Sequence, residues 1–198
     1  EMRNYTKLLE LAEQNNGYVF TKDLSNNKIA KDYLKFAVED GILEKVARGI
    51  YIKSDEFVDL LYVYQTNYTK VVFSAFTSAY LWDLTTRDTN ITYGVTPLNY
   101  YAKDSRNNNV VLVRESDYVY NLGITTIKTM FGNTVKCHDI HRTICDLFSD
   151  KYIGDKFIQV EALKNYLKLP NKDTVKLMKY AKVLGVDKQL REKLEVLI

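Results

Sequence analysis

The chain has 198 residues, 46% of them hydrophobic and 27% charged, which indicates a folded protein of one large or two modest domains and excludes a disordered one. No apolar run approaches the roughly 20 residues of a membrane-spanning helix, and no leader-like segment follows the N-terminus. With only two cysteines, we expect a cytoplasmic protein with no membrane partner. The net charge of +3 is too small for a uniformly basic polyanion-binding protein.

Residues 1–54 predict a small DNA-binding domain. The expected elements, in order, are a helix (4–14), a strand (18–20), a brief helix capped by Thr21, a turn at Asn26-Asn27, a helix (28–39) and a hairpin with strands 42–46 and 50–52. This order is typical of a winged helix-turn-helix, in which the third helix enters the major groove and the hairpin contacts the flanking backbone.

The candidate DNA-binding residues lie around the predicted third helix and the hairpin turn. Lys28, Lys31 and Lys35 are spaced to share one helix face and suit phosphate contacts, although a solvated face is the alternative for any single lysine. Asn26 and Asn27, at the expected helix start, suit base edges. Arg48 at the hairpin tip suits a minor groove or a phosphate. The full predicted set is Thr21, Lys22, Asn26, Asn27, Lys28, Lys31, Lys35 and Arg48.

Residues 55–198 predict a larger mixed-sheet domain that ends in a helical bundle, so the fold class expected for the whole chain is α+β. The expected elements are a helix (55–64), a strand (70–73), a helix capped by Ser74 (74–84), strands (91–95, 110–114, 124–127, 134–137) with turns at 107–109 and 131–133, and helices from 139 onward. Breaks in the last helical region are expected near Gly154 and at Pro170-Asn171.

Both cysteines and both histidines lie in one segment, KCHDIHRTIC (136–145). A zinc site is one interpretation, but all four ligands would come from a single strand-to-helix turn with no second pair elsewhere. The alternative is a packed helix capped by Asp139, with Cys145 acting as a small buried hydrophobe. This second interpretation is favoured, so we expect no metal.

Catalytic patterns are scarce. Cys145 with His141 is the only candidate nucleophile–base pair, and it is a weak one. No glycine-rich phosphate loop occurs, and the chain has no acidic-x-Lys triplet of the kind found in metal-dependent nucleases. We therefore expect a protein that is not an enzyme and has no cofactor.

The positive charge lies at the C-terminal end, where the last 48 residues carry 11 basic and 6 acidic side chains. Several of the basic residues are spaced as a stripe on one helix. They are either a solvated face or a second surface for DNA, RNA or an acidic partner. The residues of this predicted second basic face are Lys172, Lys176, Lys179, Lys182, Lys188 and Arg191.

Three segments resemble AbiEi-type antitoxins. GILEKVARGIYIK (41–53) resembles the wing hairpin of that family, with Glu44, Arg48, Gly49 and Tyr51 in the family's pattern. SAFTSAYLWDL (74–84) resembles the Ser-Ala helix that opens the family's second domain, with Thr77-Ser78 as a departure. HDIHRTICDLF (138–148) resembles its Arg-Thr-x-x-Asp-Leu segment. In that last segment the matching positions are Arg142, Thr143 and Asp146.

This resemblance implies an antitoxin of a type IV, abortive-infection toxin–antitoxin system. Such a protein would repress its own operon by binding inverted repeats in the promoter. It would also oppose a nucleotidyltransferase toxin of the AbiEii type without requiring a stable complex. Two other interpretations remain open from the residues, namely a winged-helix repressor whose second domain senses a small ligand, and an RNA-interacting enzyme or adaptor that uses the basic C-terminal face.

Overall fold

The computed structural model describes residues 4–102 and 109–197. The protein is a mixed α+β chain with two sheets, which confirms the predicted fold class at that level. It divides into two compact units, the first comprising Glu1–Asn67 and Met130–Asn133 and the second Tyr68–Thr129 and Thr134–Ile198. Across the described ranges, no helix has the length and apolar character needed to cross a membrane. Of the turn expected at 107–109, Asn107 and Asn108 lie outside the described residues.

The described N-terminal segment of the first unit builds a three-stranded sheet with helices on both of its faces. Its elements are α1 (Thr6–Gln14), β1 (Tyr18–Phe20), a 3-10 helix (Thr21–Asp23), α2 (Asp32–Glu39), β2 (Leu43–Ala47), β3 (Ile50–Lys53) and α3 (Leu60–Asn67). The strands are ordered β1-β3-β2 and both pairs are antiparallel. The predicted first helix, first strand and hairpin are therefore confirmed.

The two faces of this sheet are covered by different helices, because neighbouring side chains of a strand point to opposite sides. Val19 is buried with Leu8 of α1 and Leu34 of α2. Tyr18 and Phe20 are buried on the other side with Val63 of α3. Helix α3 thus contributes to the core of the first unit, whereas the sequence-based boundary after residue 54 assigns it to the second domain.

Two helices begin later than the sequence predicts. Lys28 has a φ of +55°, a left-handed conformation that cannot continue an α-helix, and α2 starts only at Asp32. Helix α3 was expected over 55–64 but starts at Leu60, directly after Asp59. The Asp59 carboxylate accepts the N–H of Tyr62 (3.1 Å), as an N-cap side chain does.

The second unit combines a five-stranded sheet with helices packed against it. Its described elements are β4 (Val72–Phe73), α4 (Ala75–Leu81), β5 (Thr92–Pro97), β6 (Val110–Glu115), α5 (Asp117–Asn121), β7 (Ile124–Lys128), β8 (Thr134–His138), α6 (Ile140–Leu147), α7 (Lys156–Lys168), α8 (Thr174–Leu184) and α9 (Asp187–Leu197). The strand order is β6-β5-β4-β8-β7, with β4–β8 and β5–β6 parallel and the other pairs antiparallel. The predicted strands of this domain are confirmed to within about two residues at each end.

Helix α6 occupies the centre of the second unit. Every residue from His141 to Leu147 is buried, and Ile144 and Cys145 belong to the main hydrophobic core. Its N-terminus is capped as predicted, since the Asp139 carboxylate accepts the N–H of Arg142 at 2.8 Å. Ser74 precedes α4 at the expected position, but its side chain makes no capping hydrogen bond.

Candidate nucleic-acid interface

Three of the predicted DNA-binding residues lie together in one open concavity of about 500 Å³ in the first unit, which we call the hairpin pocket. Thr21 and Lys22 enter it from the 3-10 helix, and Arg48 enters it from the turn between β2 and β3. The end of α3 contributes Thr66 and Asn67 to the lining of the pocket. Thr21 is the first residue of the 3-10 helix and not its N-cap, a position that Phe20 occupies without a side-chain hydrogen bond.

A backbone hydrogen bond joins the two segments that carry the basic groups of the pocket. The N–H of Thr21 donates to the carbonyl oxygen of Gly49 (3.0 Å), which ties the 3-10 helix to the hairpin turn. Gly49 has a φ of +72°, which favours glycine at this position of the turn. The Nζ atom of Lys22 lies 5.5 Å from the centre of the Phe20 ring, and Arg48 is exposed.

The predicted stripe of three lysines on one helix is wrong. Lys28 lies in the turn before α2, Lys31 is the N-cap residue, and only Lys35 is inside the helix. The positive φ at Lys28 breaks the helical spacing on which the stripe depended. Lys28 instead lines a separate concavity of about 600 Å³ beside Lys7 of α1.

The asparagines and Lys35 also occupy different positions from those predicted. Asn26 and Asn27 are exposed in the turn that precedes α2, well before the helix start. The side-chain amide of Asn27 donates to the carbonyl oxygen of Asp23 (2.8 Å), so it stabilises the turn. Lys35 lies 3.8 Å from Glu39 one helical turn later, and this exposed ion pair offsets part of its charge.

Two exposed residues of the first unit, Tyr33 of α2 and Asn67 of α3, were not among the predicted DNA-binding residues. Tyr33 of α2 is 38% exposed and contacts Tyr5 edge to face. Asn67 was missed because α3 was assigned to the second domain. Asp59 was the signal available for the position of α3, because aspartate is a favoured N-cap residue.

The second basic face is less uniform than its spacing predicts. Lys172 precedes α8 and is not part of the stripe on that helix. Lys176 is half-buried, with its Nζ 2.9 Å from the Asp139 carboxylate and 5.3 Å from the centre of the Tyr180 ring. The hydrogen bond that Lys176 donates to the Asp139 carboxylate raises the pKa of Lys176, so this lysine already has an internal partner.

The remaining members of the second basic face are exposed cations. Lys179 and Lys182 project from α8, and Lys188 and Arg191 lie on α9. Val175 and Val183, which are 66% and 43% exposed, each lie four residues from Lys179 and therefore share its side of α8. This face therefore mixes positive charge with apolar surface.

The Cys–His segment forms a buried polar cluster in the second unit. The His138 Nδ1 atom lies 2.7 Å from one Asp146 oxygen, and the Arg142 Nε donates to the other at 2.8 Å. A further guanidinium nitrogen of Arg142 donates to the carbonyl oxygens of Val119 and Leu122. All three charged or titratable side chains are almost completely inaccessible to solvent.

The ion pair between Arg142 and Asp146 determines the charge of both side chains in this cluster. Burial by itself would raise the pKa of Asp146, but the neighbouring Arg142 and His138 hold it below its usual value. Burial would likewise lower the pKa of Arg142, but Asp146 outweighs it and the pKa is raised. The Arg142–Asp146 pair is therefore ionised at neutral pH and ties α6 to the backbone before β7.

The cysteines and His141 lack the properties of a reactive centre. Burial raises the pKa of the Cys137 thiol to about 12, and it also raises the pKa of Cys145, whose Sγ donates to the carbonyl oxygen of Leu177 (3.6 Å). His141 packs against Tyr166, and burial lowers its pKa. In the part of the chain that the structure describes, no group of three or more His, Cys, Asp or Glu side chains is placed to hold a metal ion.

No protein-family model matches the chain, and no curated protein matches its sequence. Its function is therefore inferred from its own residues, their geometry and the three motif segments.

Proposed function

We propose that this chain is a DNA-binding autorepressor of the AbiEi antitoxin type, with a winged helix-turn-helix as its first unit. The observation that carries the proposal is the convergence of Lys22, Arg48 and Thr21 at the hairpin turn. These residues come from two separate segments of the chain, and they meet on one exposed surface.

The order of elements supports a winged helix. Helix α1, the 3-10 helix and α2 precede the β2–β3 hairpin, and β1 pairs with β3 to complete the small sheet. In such a unit α2 would lie in the major groove and the hairpin turn would contact the adjacent backbone. One side of α2 is available for this role, because Leu34 and Ala37 are buried while Tyr33 and Lys35 are exposed.

Burial of the Arg-Thr-x-x-Asp motif supports a role for the second unit other than catalysis. Arg142, Thr143 and Asp146 are all buried, and a substrate would have no access to them. We propose that these residues maintain the fold of an antitoxin domain, while its exposed surface opposes a nucleotidyltransferase toxin of the AbiEii type. That partner, and the inverted repeats in the operator, follow from the motif resemblance.

Fluorescence anisotropy with labelled DNA from upstream of the chain's own gene tests the repressor. The control is scrambled DNA of equal composition, and both are titrated over a range of salt concentrations. We expect sequence-selective binding that Lys31→Ala and Arg48→Ala weaken. Equal, salt-sensitive binding to both DNAs would contradict the proposal, because backbone charge alone gives no selectivity.

Co-expression tests the antitoxin. A nucleotidyltransferase gene adjacent to this one would be induced in a host strain with and without the full chain. We expect growth arrest only when the chain is absent. Arrest in both cases, with the chain expressed and folded, would contradict an antitoxin role and leave a repressor without a toxin partner.

A further inference from the structure

We propose that the hairpin pocket is a binding site for a single phosphodiester group, and that Asn67 of α3 is part of that site. The inference deepens the DNA-binding function proposed above and rests on it. It assigns a ligand group to one pocket and adds a residue from outside the winged-helix elements.

The charge of the pocket favours an anion. Lys22 and Arg48 both line it, and none of its lining residues is acidic. Within the described residues, Arg48 forms no ion pair, and the contact of Lys22 is with the Phe20 ring. The C-terminal end of α3 carries a partial charge of roughly −0.5, which these two positive charges outweigh.

The backbone holds the two segments that carry the cations together before a ligand arrives. The hydrogen bond from Thr21 to Gly49 fixes the hairpin turn against the 3-10 helix. The register shift between Lys45 and Ala47 adds a bulge to β2 just before Arg48, and bulges redirect the residues that follow them. The planar guanidinium of Arg48 can bind two phosphate oxygens at once, whereas Lys22 acts as a point charge.

Asn67 is a neutral donor of the pocket. It is the last residue of α3 and is exposed, and its carboxamide donates no hydrogen bond among the described residues. The neighbouring Thr66 hydroxyl already donates to the carbonyl oxygen of Tyr62 (2.8 Å), so it has no proton left for a phosphate. Of the two α3 residues in the pocket, Asn67 alone can therefore donate to an anion.

The size of the pocket favours a phosphodiester over a free phosphate ion. Its volume of about 500 Å³ is open to solvent and exceeds that of one phosphate group. The flanking sugars of a nucleic-acid backbone would occupy the remaining space. The Phe20 and Ile50 side chains, which also line the pocket, provide apolar surface for them.

The test is a titration of the ¹⁵N-labelled full chain with the dinucleotide TpT, which contains one phosphodiester. We expect saturable shifts of the Arg48 Nε–H and the Asn67 carboxamide signals. Arg48→Ala and Asn67→Asp should each weaken binding by at least about tenfold, the effect of losing one hydrogen bond to a charged group. Lys45→Ala is the matched control, because Lys45 is an exposed cation of the same hairpin outside the pocket.

Absence of saturable shifts at Asn67, or equal binding by Asn67→Asp and the wild type, would overturn the inference. So would an equal loss of binding in Lys45→Ala, because that result indicates general charge attraction. Selective binding to upstream DNA that survives both pocket substitutions would overturn the pocket and leave the repressor function standing. The expected TpT binding without selectivity for upstream DNA would support the pocket and contradict the repressor.

Discussion

Two arginines show how differently the two units use positive charge. Arg48 is exposed at a turn of the first unit and forms no ion pair within the described residues. Arg142 is completely buried in the second unit, where Asp146 and two backbone carbonyl oxygens bind its guanidinium. Removal of one partner of a buried ion pair destabilises a fold, whereas an exposed charge without partners contributes little to stability and is available to a ligand.

The largest expected effect is the loss of stability when Arg142 is removed. Arg142→Ala leaves Asp146 charged and buried, and should lower the free energy of unfolding by about 3–5 kcal/mol. Trp82 is the only tryptophan of the chain, and its indole N–H donates to the carbonyl oxygen of His138 (2.8 Å), so its fluorescence reports on this unit. Urea denaturation followed by that signal measures the change.

Arg48→Ala is the matched control for this comparison and should shift the urea midpoint very little. If Arg142→Ala unfolded at the wild-type urea concentration, the buried ion pair would not stabilise the second unit. The contrast between the two arginines would then be lost.

Acid should weaken the second unit through Asp146. Its pKa is lower in the folded chain than its usual value of 3.8. The carboxylate therefore contributes its full stability above about pH 4, and the contribution is lost as the pH falls through the folded pKa. The effect should be smaller than that of Arg142→Ala, because the protonated side chain remains in place and keeps hydrogen-bonding capacity.

The measurement is the urea midpoint from Trp82 fluorescence at a series of pH values from about 6 to about 2. This range includes the usual pKa of an aspartate side chain. Asp146→Asn should be less stable than the wild type at pH 6, and the difference should narrow as the solution becomes more acidic. A constant difference over that range would show that ionisation of Asp146 makes no contribution.

The lysines near α2 should differ in their contributions to DNA affinity. Lys31 is exposed and forms no ion pair among the described residues, whereas Lys35 already has Glu39 as a partner. The plot of log Kobs against log salt concentration has a negative slope. Lys31→Ala should make this slope less steep by about 0.9, the value for one lost phosphate contact. Lys35→Ala should change it by less, and anisotropy titrations over a salt series measure both slopes. A larger change for Lys35→Ala would indicate that Lys35 and not Lys31 contacts the backbone.

The smallest expected effect distinguishes two lysines of the second basic face. Lys176 is paired with Asp139, so Lys176→Ala should cost about 0.5 kcal/mol of stability, as removal of a partly exposed ion pair does. Lys179→Ala should leave the urea midpoint unchanged. If the two variants had equal midpoints, the Asp139 pair would make no contribution to the stability of α8.

The contrast between local and long-range signals also explains what could be predicted from the sequence. The cap at Asp139 and the packing of Cys145 in α6 were predictable, because they depend on a few neighbouring residues. The start of α2 was not, because a helical spacing of lysines concealed the left-handed turn at Lys28. The Asn26-Asn27 pair correctly indicates a turn, but it does not show that the turn continues through Lys28.

The buried network of the second unit was harder to predict. Arginine is rarely fully buried, and the sequence places Arg142 on a helix without showing that α6 lies at the centre of a unit. Asp146 at i+4 was the signal for an ion pair. The carbonyl oxygens of Val119 and Leu122, which accept hydrogen bonds from the guanidinium, lie about twenty residues earlier and leave no pattern in the sequence.

The most direct test of the central claim is an NMR titration of the ¹⁵N-labelled chain with the upstream duplex. The account predicts that backbone shifts concentrate in the first unit, at the 3-10 helix, α2 and the turn that contains Arg48. The backbone signals of α6 should not shift. Shifts confined to α8 and α9, with none at Arg48 or in α2, would contradict the account and identify the second basic face as the DNA-binding surface.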